Sequence, residues 1–325
     1  MIDQELIERA AALIRAGRLV AFPTETVYGL GANALDTQAV RRIFQVKGRP
    51  ASSPLIVHVD GIAMARGLVA QWPKEAEKLA QRFWPGPLTL VLPRCASIPD
   101  VVTAGLDTVG LRMPAHPVAL DLIHAAGVPI AAPSANRFSR LSPTTAEHVR
   151  AELGDAADLI LDAGPTEVGI ESTVLSLAGA PRLLRPGMIL REQIEELIGT
   201  VQIAGRIEDR AAHPSPGMHS RHYSPATPLL IVEDGALLAG RGAYLWITRP
   251  APAARLVRMP DDARAYAARL YDTLRALDAE GWDWIAVERP PGTPAWEPIL
   301  DRLRRAAGGG SNAALATDRR SSGGR

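Results

Sequence analysis

The sequence holds one cysteine, Cys95, in 325 residues. A single thiol excludes a disulfide framework and any cysteine-rich zinc site, and it suits a reducing compartment. A charge excess is also lacking. The 36 Lys and Arg against 35 Asp and Glu leave a formal net charge of +1, so no global basic field exists to hold nucleic acid non-specifically. Any RNA contact must come from a local patch. No apolar run approaches the length of a membrane span. The opening stretch MIDQELIERAAALIRAG is an amphipathic helical pattern without the basic start and apolar centre of a secretory leader. A cytoplasmic location with no membrane contact is therefore expected. The chain has neither a Walker A motif nor a G-x-S-x-G elbow, which argues against a P-loop NTPase and a serine hydrolase. It also shows no internal repeat at a fixed period.

What is present is ordinary globular material. Hydrophobic residues make up 47% and charged residues 22%, and the length suffices for two domains. Short apolar runs predict strands over 18–22, 55–59, 88–92, 109–112, 129–132, 159–161, 173–177 and 182–184. Helical patterns fall at 3–16, 37–45, 73–83, 117–126, 144–153 and 190–198. This alternation predicts an α/β fold over 1–204. The last three strands follow one another through short turns, so a mixed sheet is expected. Residues 205–228 hold His213, Pro214, Pro216, Gly217, His219, His222, Pro225 and Pro228 with little apolar periodicity, and read as an extended linker. Beyond it, PLLIVEDG, AYLWIT, a helix at 263–277, the strand WIAVE and a helix at 299–306 predict a small second α/β unit over 229–307. The Gly/Ser-rich end, 308–325, reads as disordered.

Five segments end or follow strands in polar clusters: FPTETVYG, PLIVHV, TVGLRMP, APSANR and IESTV. Ligands of open α/β sheets bind beyond strand ends, so the clusters could converge on one site; each alone fits helix caps and turns as well. Lys47 and Arg49, in QVKGRP, close a helix. Favourable interaction with the helix dipole accounts for them, and so does a rigid Gly–Pro turn presenting two cations to a triphosphate. GLGANA resembles half of a dinucleotide fingerprint, but Ala34 stands at its third glycine, and Gly29 and Gly31 read as a tight turn. His213, His219 and His222 lack the cysteine company and spacing of a zinc site. Asp107, Asp162 and Glu171 are strand-end acids available to magnesium, with no spacing that selects one of them.

Taken in order, the stretches FPTETVYGLG (22–31), KGRP with SSPLIVHV (47–59), WPGPLTLVL (84–92), TVGLRMP (108–114), APSANRFSRLSPTT (132–145), GIESTV (169–174), LLRPGMI (183–189) and SPGMHSRHYSP (215–225) resemble the YrdC-type L-threonylcarbamoyladenylate synthases. The likeness is to the longer version with an appended C-terminal domain. One departure is Ser220, where a basic or aromatic residue is more usual.

The resemblance implies a YrdC-like twisted, open mixed sheet around a concave, positively lined cavity, plus a small Rossmann-like α/β domain. It implies a nucleotidyltransferase that turns L-threonine, bicarbonate and ATP into threonylcarbamoyl-AMP and pyrophosphate, with Mg2+ accompanying ATP. Other proteins would then transfer the threonylcarbamoyl group to tRNAs that read codons beginning with A, making any contact of this chain with tRNA indirect. By the same resemblance, Lys47 and Arg49 take the phosphates and carry the catalytic role. Thr24, His58, Arg112, Ser134 and Ser172 hold threonine. Ala51, Thr108, Asn136, Thr144, Arg185 and Tyr223 join Lys47 and Arg49 around ATP, and the linker folds over the adenylate as a lid against water. A competing reading, a non-catalytic RNA- or nucleotide-binding module, is weakened by the missing basic stripe. A carbamoyl-transfer or hydrolase accessory domain handling carbamoyl phosphate is a third.

Overall fold

The computed structural model describes residues 3–204, 222–233 and 239–308. Its larger unit is built on one ten-stranded sheet. In chain order the strands are β1 (Val20–Pro23), β2 (Tyr28–Asn33), β3 (Ile56–His58), β4 (Leu88–Pro93), β5 (Thr108–Arg112), β6 (Ile130–Ala131), β7 (Leu159–Ile160), β8 (Thr173–Ser176), β9 (Arg182–Arg185) and β10 (Gln202–Ile203). They lie in the order β10-β9-β8-β4-β5-β3-β6-β2-β1-β7. The sheet is mixed: β3/β5 and β4/β8 are parallel, whereas β4/β5 and β2/β6 are antiparallel.

Alternation along β1 sets the layers. Leu19 and Ala21 face a core shared with helices Thr37–Lys47 and Lys74–Phe83. Val20 and Phe22 face the other side, against helices Gln4–Arg15 and Pro117–Ala126. This is the period of two expected of a strand covered on both faces. Helix Thr37–Lys47 shows why these residues fold locally. Asp36 caps it by accepting from the Gln38 and Ala39 amides at 2.8 and 3.2 Å. Ala39, Val40, Ile43 and Phe44 form its buried stripe. Gly48 ends it at a left-handed φ of 60°.

Three details differ from the expectations. YGLGAN is a strand, not a tight turn: Gly29 and Gly31 pair with Phe22 and Val20. What keeps Gly31 small is packing, since a Cβ there would lie 2.7 Å from Phe22 and 2.8 Å from Ile130. The strand at 159–161 sits at the far edge beside β1, rather than next to β8. Strand β10 is an exposed two-residue edge with no alternation to read. Cys95 is half-buried, its Sγ 2.9 Å from the Ser97 hydroxyl.

The second unit is a parallel four-stranded sheet of β11 (Leu229–Val232), β12 (Gly242–Trp246), β13 (Arg255–Arg258) and β14 (Trp284–Glu288), ordered β11-β14-β12-β13. β13 is mostly exposed and carries no strand signature in the sequence. Helices Ala263–Ala279 and Glu297–Ala306 cover one face. Their core is continuous with the first unit, because Val27, Leu141, Ile170 and Tyr223 belong to the same apolar cluster as Tyr266, Leu270 and Ile299. No helix among the described residues is long and apolar enough to cross a membrane. The end of the linker, 222–228, is described. Residues 205–221 and the tail from 309 onward, with His213 and His219, lie outside the described residues.

Gly169 is the tightest point of that junction. Its φ is +78°, and a Cβ would approach the Ala267 carbonyl oxygen to 2.4 Å. Replacing Gly169 with Ala is predicted to destabilise the protein by about 3 kcal/mol, through left-handed strain plus overpacking against backbone. Gly179, which faces open space with no positive φ, serves as control: Gly179→Ala should change stability by less than about 1 kcal/mol. Urea midpoints of the two variants check this, and equal midpoints would contradict it.

Candidate active site

A hollow open to solvent lies among strand ends of the large sheet, with about 540 Å³ of empty space counting its open mouth. Its wall combines the β1–β2 turn (Thr24, Thr26, Val27), Arg49 after the helix, Ile56 and His58 on β3, and Arg112 at the end of β5. Ala132, Pro133 and Ser134 follow β6; Glu171 and Ser172 precede β8; Arg185 ends β9; His222 and Tyr223 complete the wall. Register explains part of the convergence, since His58 and Arg112 are directly paired on adjacent parallel strands. The APSAN segment is pinned to β2 by Leu30 N–H donating to Pro133 O at 2.9 Å and Ala135 N–H donating to Tyr28 O at 2.8 Å. That pairing brings Ser134 against Gly29.

Three guanidinium groups reach this wall, all nearly buried: Arg49 at 7%, Arg112 at 4% and Arg185 at 3% exposure. Arg49 donates to the Ser53 hydroxyl at 2.6 Å and to the Pro54 carbonyl at 3.0 Å. Burial, helped by Arg185, pulls its pKa down to about 10, so it stays cationic at neutral pH. Arg112 forms a 2.7 Å ion pair with Glu25. Its angle falls short of a hydrogen bond, so the contact is Coulombic and leaves N–H directions unsatisfied. Glu25 also accepts the Ala115 amide at 3.0 Å. Arg185 donates to the Ser172 carbonyl at 3.0 Å and the Ser172 hydroxyl at 3.1 Å, and it lies 3.4 Å from the Tyr223 hydroxyl. Tyr223 itself has a φ of 59°, stacks on Tyr271, and its phenol is pushed up by burial. A non-glycine residue held in that region reflects constraint by its surroundings.

Thr24 builds the turn. Its hydroxyl donates to Val27 O at 2.7 Å and accepts the Thr26 and Val27 amides at 3.2 Å. Ser172 shares a 2.8 Å hydrogen bond with Thr89. His58 packs edge-on against Phe22, with Nδ1 buried and unpartnered. Burial first, then Arg112, drives its pKa to about 3, so the ring is neutral.

The other expected site residues lie outside the cavity wall. Lys47 is buried, and its Nζ donates to the carbonyls of Ser134 (2.5 Å) and Asn136, so it holds the APSAN loop from behind. Burial, then Arg49, pushes its ammonium well below its ordinary value. The Asn136 amide nitrogen donates to Arg137 and Arg140 carbonyls, while its Oδ1 is buried without a partner. The Thr144 hydroxyl meets His148, and Ala51 sits exposed in the turn after Pro50. Thr108 pairs with Pro93, at the opposite end of β5 from Arg112.

Sequence reasoning missed Glu25 and Thr26, although both stand inside FPTETVYG, where an acid flanked by hydroxyls signals a partner for a buried cation. It also left Glu171 undecided between metal and structure. Glu171 accepts from Ser142, Tyr271 and Arg302, so most of its acceptor capacity is already taken in this arrangement. Asp162 pairs with Arg150, and Asp107 is exposed. Among the described residues, no cluster of three or more His, Cys, Asp or Glu could hold a metal ion.

This polar, cation-rich hollow over a mixed α/β sheet is the architecture of a site for anionic small molecules. A family model described as "Telomere recombination", the Sua5/YciO/YrdC family, matches residues 12–187. A second, described as "Threonylcarbamoyl-AMP synthase, C-terminal domain", matches 189–308. The chain is 42% identical to the threonylcarbamoyl-AMP synthase of Pyrococcus abyssi, over 94% of this chain and 95% of that one. It is 45% identical to the Bacillus subtilis threonylcarbamoyl-AMP synthase, over 93% of each. The crystal structure of P. abyssi Sua5 complexed with L-threonine superposes with a TM-score of 0.90 at 43% identity, covering 95% of this chain and 96% of that one. The chain belongs to the Sua5/YciO/YrdC family, in its two-domain form.

The depressed His58 pKa has a consequence for stability. Between pH 6.5 and about 3 the unfolded chain binds a proton at this ring and the folded chain does not, so folding stability must fall as pH drops through that window. The slope from this group is about 1.4 kcal/mol per pH unit. His58→Gln, which does not titrate, should flatten the pH dependence by about that amount between pH 6 and 4 in denaturant titrations. Parallel wild-type and variant profiles would contradict it.

Proposed function

We infer that this chain is an enzyme that forms threonylcarbamoyl-AMP and pyrophosphate from ATP, L-threonine and bicarbonate. The observation that supports this most directly is the set of Arg49, Arg112 and Arg185 on one cavity wall, in a chain whose two-domain relatives carry that activity in their names. A triphosphate and a carboxylate are both anionic, and one hollow with three guanidinium groups suits the pair.

The chemistry balances in two steps. The threonine amino nitrogen bonds to the bicarbonate carbon with loss of water, giving a carbamate. A carbamate oxygen then bonds to the α-phosphorus of ATP, and the bond to the bridging oxygen breaks, releasing pyrophosphate. In this reading Arg49 and Arg185 take phosphate oxygens, where charge builds as the leaving group departs. Arg112, beside the Glu25 carboxylate, takes the threonine carboxylate, and neutral His58 next to it offers a hydrogen bond without adding charge. In this reading Ser134 and Ser172 meet the polar ends of threonine, and Thr24 shapes the turn beside them. Lys47 acts by holding the Ser134 and Asn136 carbonyls and so the loop that carries Ser134. The protein's contribution is orientation and charge stabilisation, with no covalent intermediate on the enzyme. His222 and Tyr223 cover the hollow, and excluding water there protects a labile carbamate and mixed anhydride.

Magnesium belongs to the nucleotide in this reading, because the described residues supply no acidic cage for it. The product then passes to proteins that load the threonylcarbamoyl group onto tRNAs reading codons that begin with A.

Pyrophosphate release from purified protein should require ATP, threonine and bicarbonate together, with threonylcarbamoyl-AMP found by mass spectrometry. Arg49→Ala should raise KM for ATP by about tenfold or more, and Arg112→Ala should act chiefly on KM for threonine, given about 1.5–3 kcal/mol per charged hydrogen bond. Tight, steeply salt-dependent tRNA binding without turnover would overturn the enzymatic reading in favour of an RNA-binding module.

A further inference from the structure

Of the described residues on the cavity wall, Glu171 is the one acid. An unpaired carboxylate there would oppose a polyanionic ligand, yet its surroundings come largely from the second unit. Arg302, on helix Glu297–Ala306, is fully buried at 0% exposure and donates to the Glu171 carboxylate at 2.9 Å. Tyr271, on helix Ala263–Ala279, donates to the same oxygen at 3.1 Å. The guanidinium of Arg302 also donates to the backbone carbonyls of Glu171 (3.1 Å) and Pro186 (2.8 Å). Those residues are the immediate chain neighbours of Ser172 and Arg185. The same guanidinium lies 5.5 Å from the centre of the Tyr223 ring.

We propose that Arg302 is a positioning residue of the active site. In this role it neutralises Glu171 and ties the strand ends that present Ser172 and Arg185, so the second domain sets the charge of a cavity to which its described residues add no lining side chain. The idea deepens the proposed ATP-dependent reaction and rests on it. The nearby anions hold Arg302 firmly protonated despite burial, so its charge is present at any working pH. Losing it would leave Glu171 as an uncompensated negative charge beside the nucleotide. ATP carries several negative charges and threonine is a net-neutral zwitterion, so a charge effect must fall on ATP far more than on threonine. A loss of shape would fall on both.

The experiment measures KM for ATP and for threonine by pyrophosphate release in full-length wild type, Arg302→Met, Glu171→Gln and the double variant. Arg302→Met should raise KM for ATP about tenfold, a single-charge effect in a partly solvated site, with KM for threonine within about threefold. Adding Glu171→Gln should bring KM for ATP back to within about threefold of wild type, because the unpaired charge is gone. A double variant no better than Arg302→Met, or two KM values rising together, would overturn the proposal. If Arg302→Met does not fold, Tyr271→Phe removes one hydrogen bond from the same carboxylate. It should raise KM for ATP about twofold to threefold and leave threonine unchanged; no change in either would equally overturn the proposal. Wild type separates the two layers of argument: a wild-type protein without ATP-dependent release fails the parent reading, whereas an active wild type with a symmetric KM response fails only the role of Arg302.

Discussion

The fold is organised around keeping several cations together in a small buried space. Lys47, Arg49, Arg112 and Arg185 are each at most 7% exposed. Removing one such ion from water costs several kcal/mol, and grouping like charges adds to the cost. The chain answers with neutral dipoles more than with counter-charges. Lys47 is met by two carbonyls, Arg49 by a hydroxyl and carbonyls, and Arg185 by both oxygens of Ser172. Among the described residues no carboxylate pairs with Lys47 or Arg49. Dipoles lower the cost of burial without cancelling the positive potential, which leaves the cavity poised for an anion.

Carboxylates enter at two places, each beside an arginine, and Arg302 pairs with Asp301 as well at 2.8 Å. Glu25 fixes Arg112, and Glu171 is fixed by Arg302. The first pair lies within the large unit. The second crosses the junction, where Gly169 lets a helix of the small unit pack directly on the strand approach. The apolar core runs continuously between the two units at this wall, through Val27, Ile170 and Tyr223. Binding site and domain junction are therefore the same piece of structure, seen from two sides.

Much of this was legible in the sequence. The strand-end clusters do converge, and Thr24, His58, Arg112, Ser134 and Ser172 meet at one hollow as the polar runs after apolar strands suggested, joined by Arg185, which only the family resemblance pointed to. The family followed from the ordered motifs, and the α/β class from the alternation of apolar runs with helical patterns. Long-range facts were less accessible. Lys47 and Arg49 are two residues apart, yet one points behind the APSAN loop and the other into the cavity, a choice made by Gly48 in its left-handed turn. The YGLGAN strand was hidden because its glycines serve packing against Phe22 rather than chain reversal. Arg302 left one readable trace: it stands with Ile299, Leu303 and Ala306 on the buried face of its helix, a position where an arginine needs a partner. Nothing local could name Glu171 as that partner, 131 residues away.

The central claim is that this buried cationic hollow is where ATP and threonine meet. A crystal structure of the protein with a non-hydrolysable ATP analogue and L-threonine tests it most directly. The account predicts nucleotide density in the hollow, with phosphate oxygens within hydrogen-bond reach of Arg49 and Arg185 and the amino-acid carboxylate at Arg112. Nucleotide bound elsewhere on the chain, with the hollow left to solvent, would contradict it.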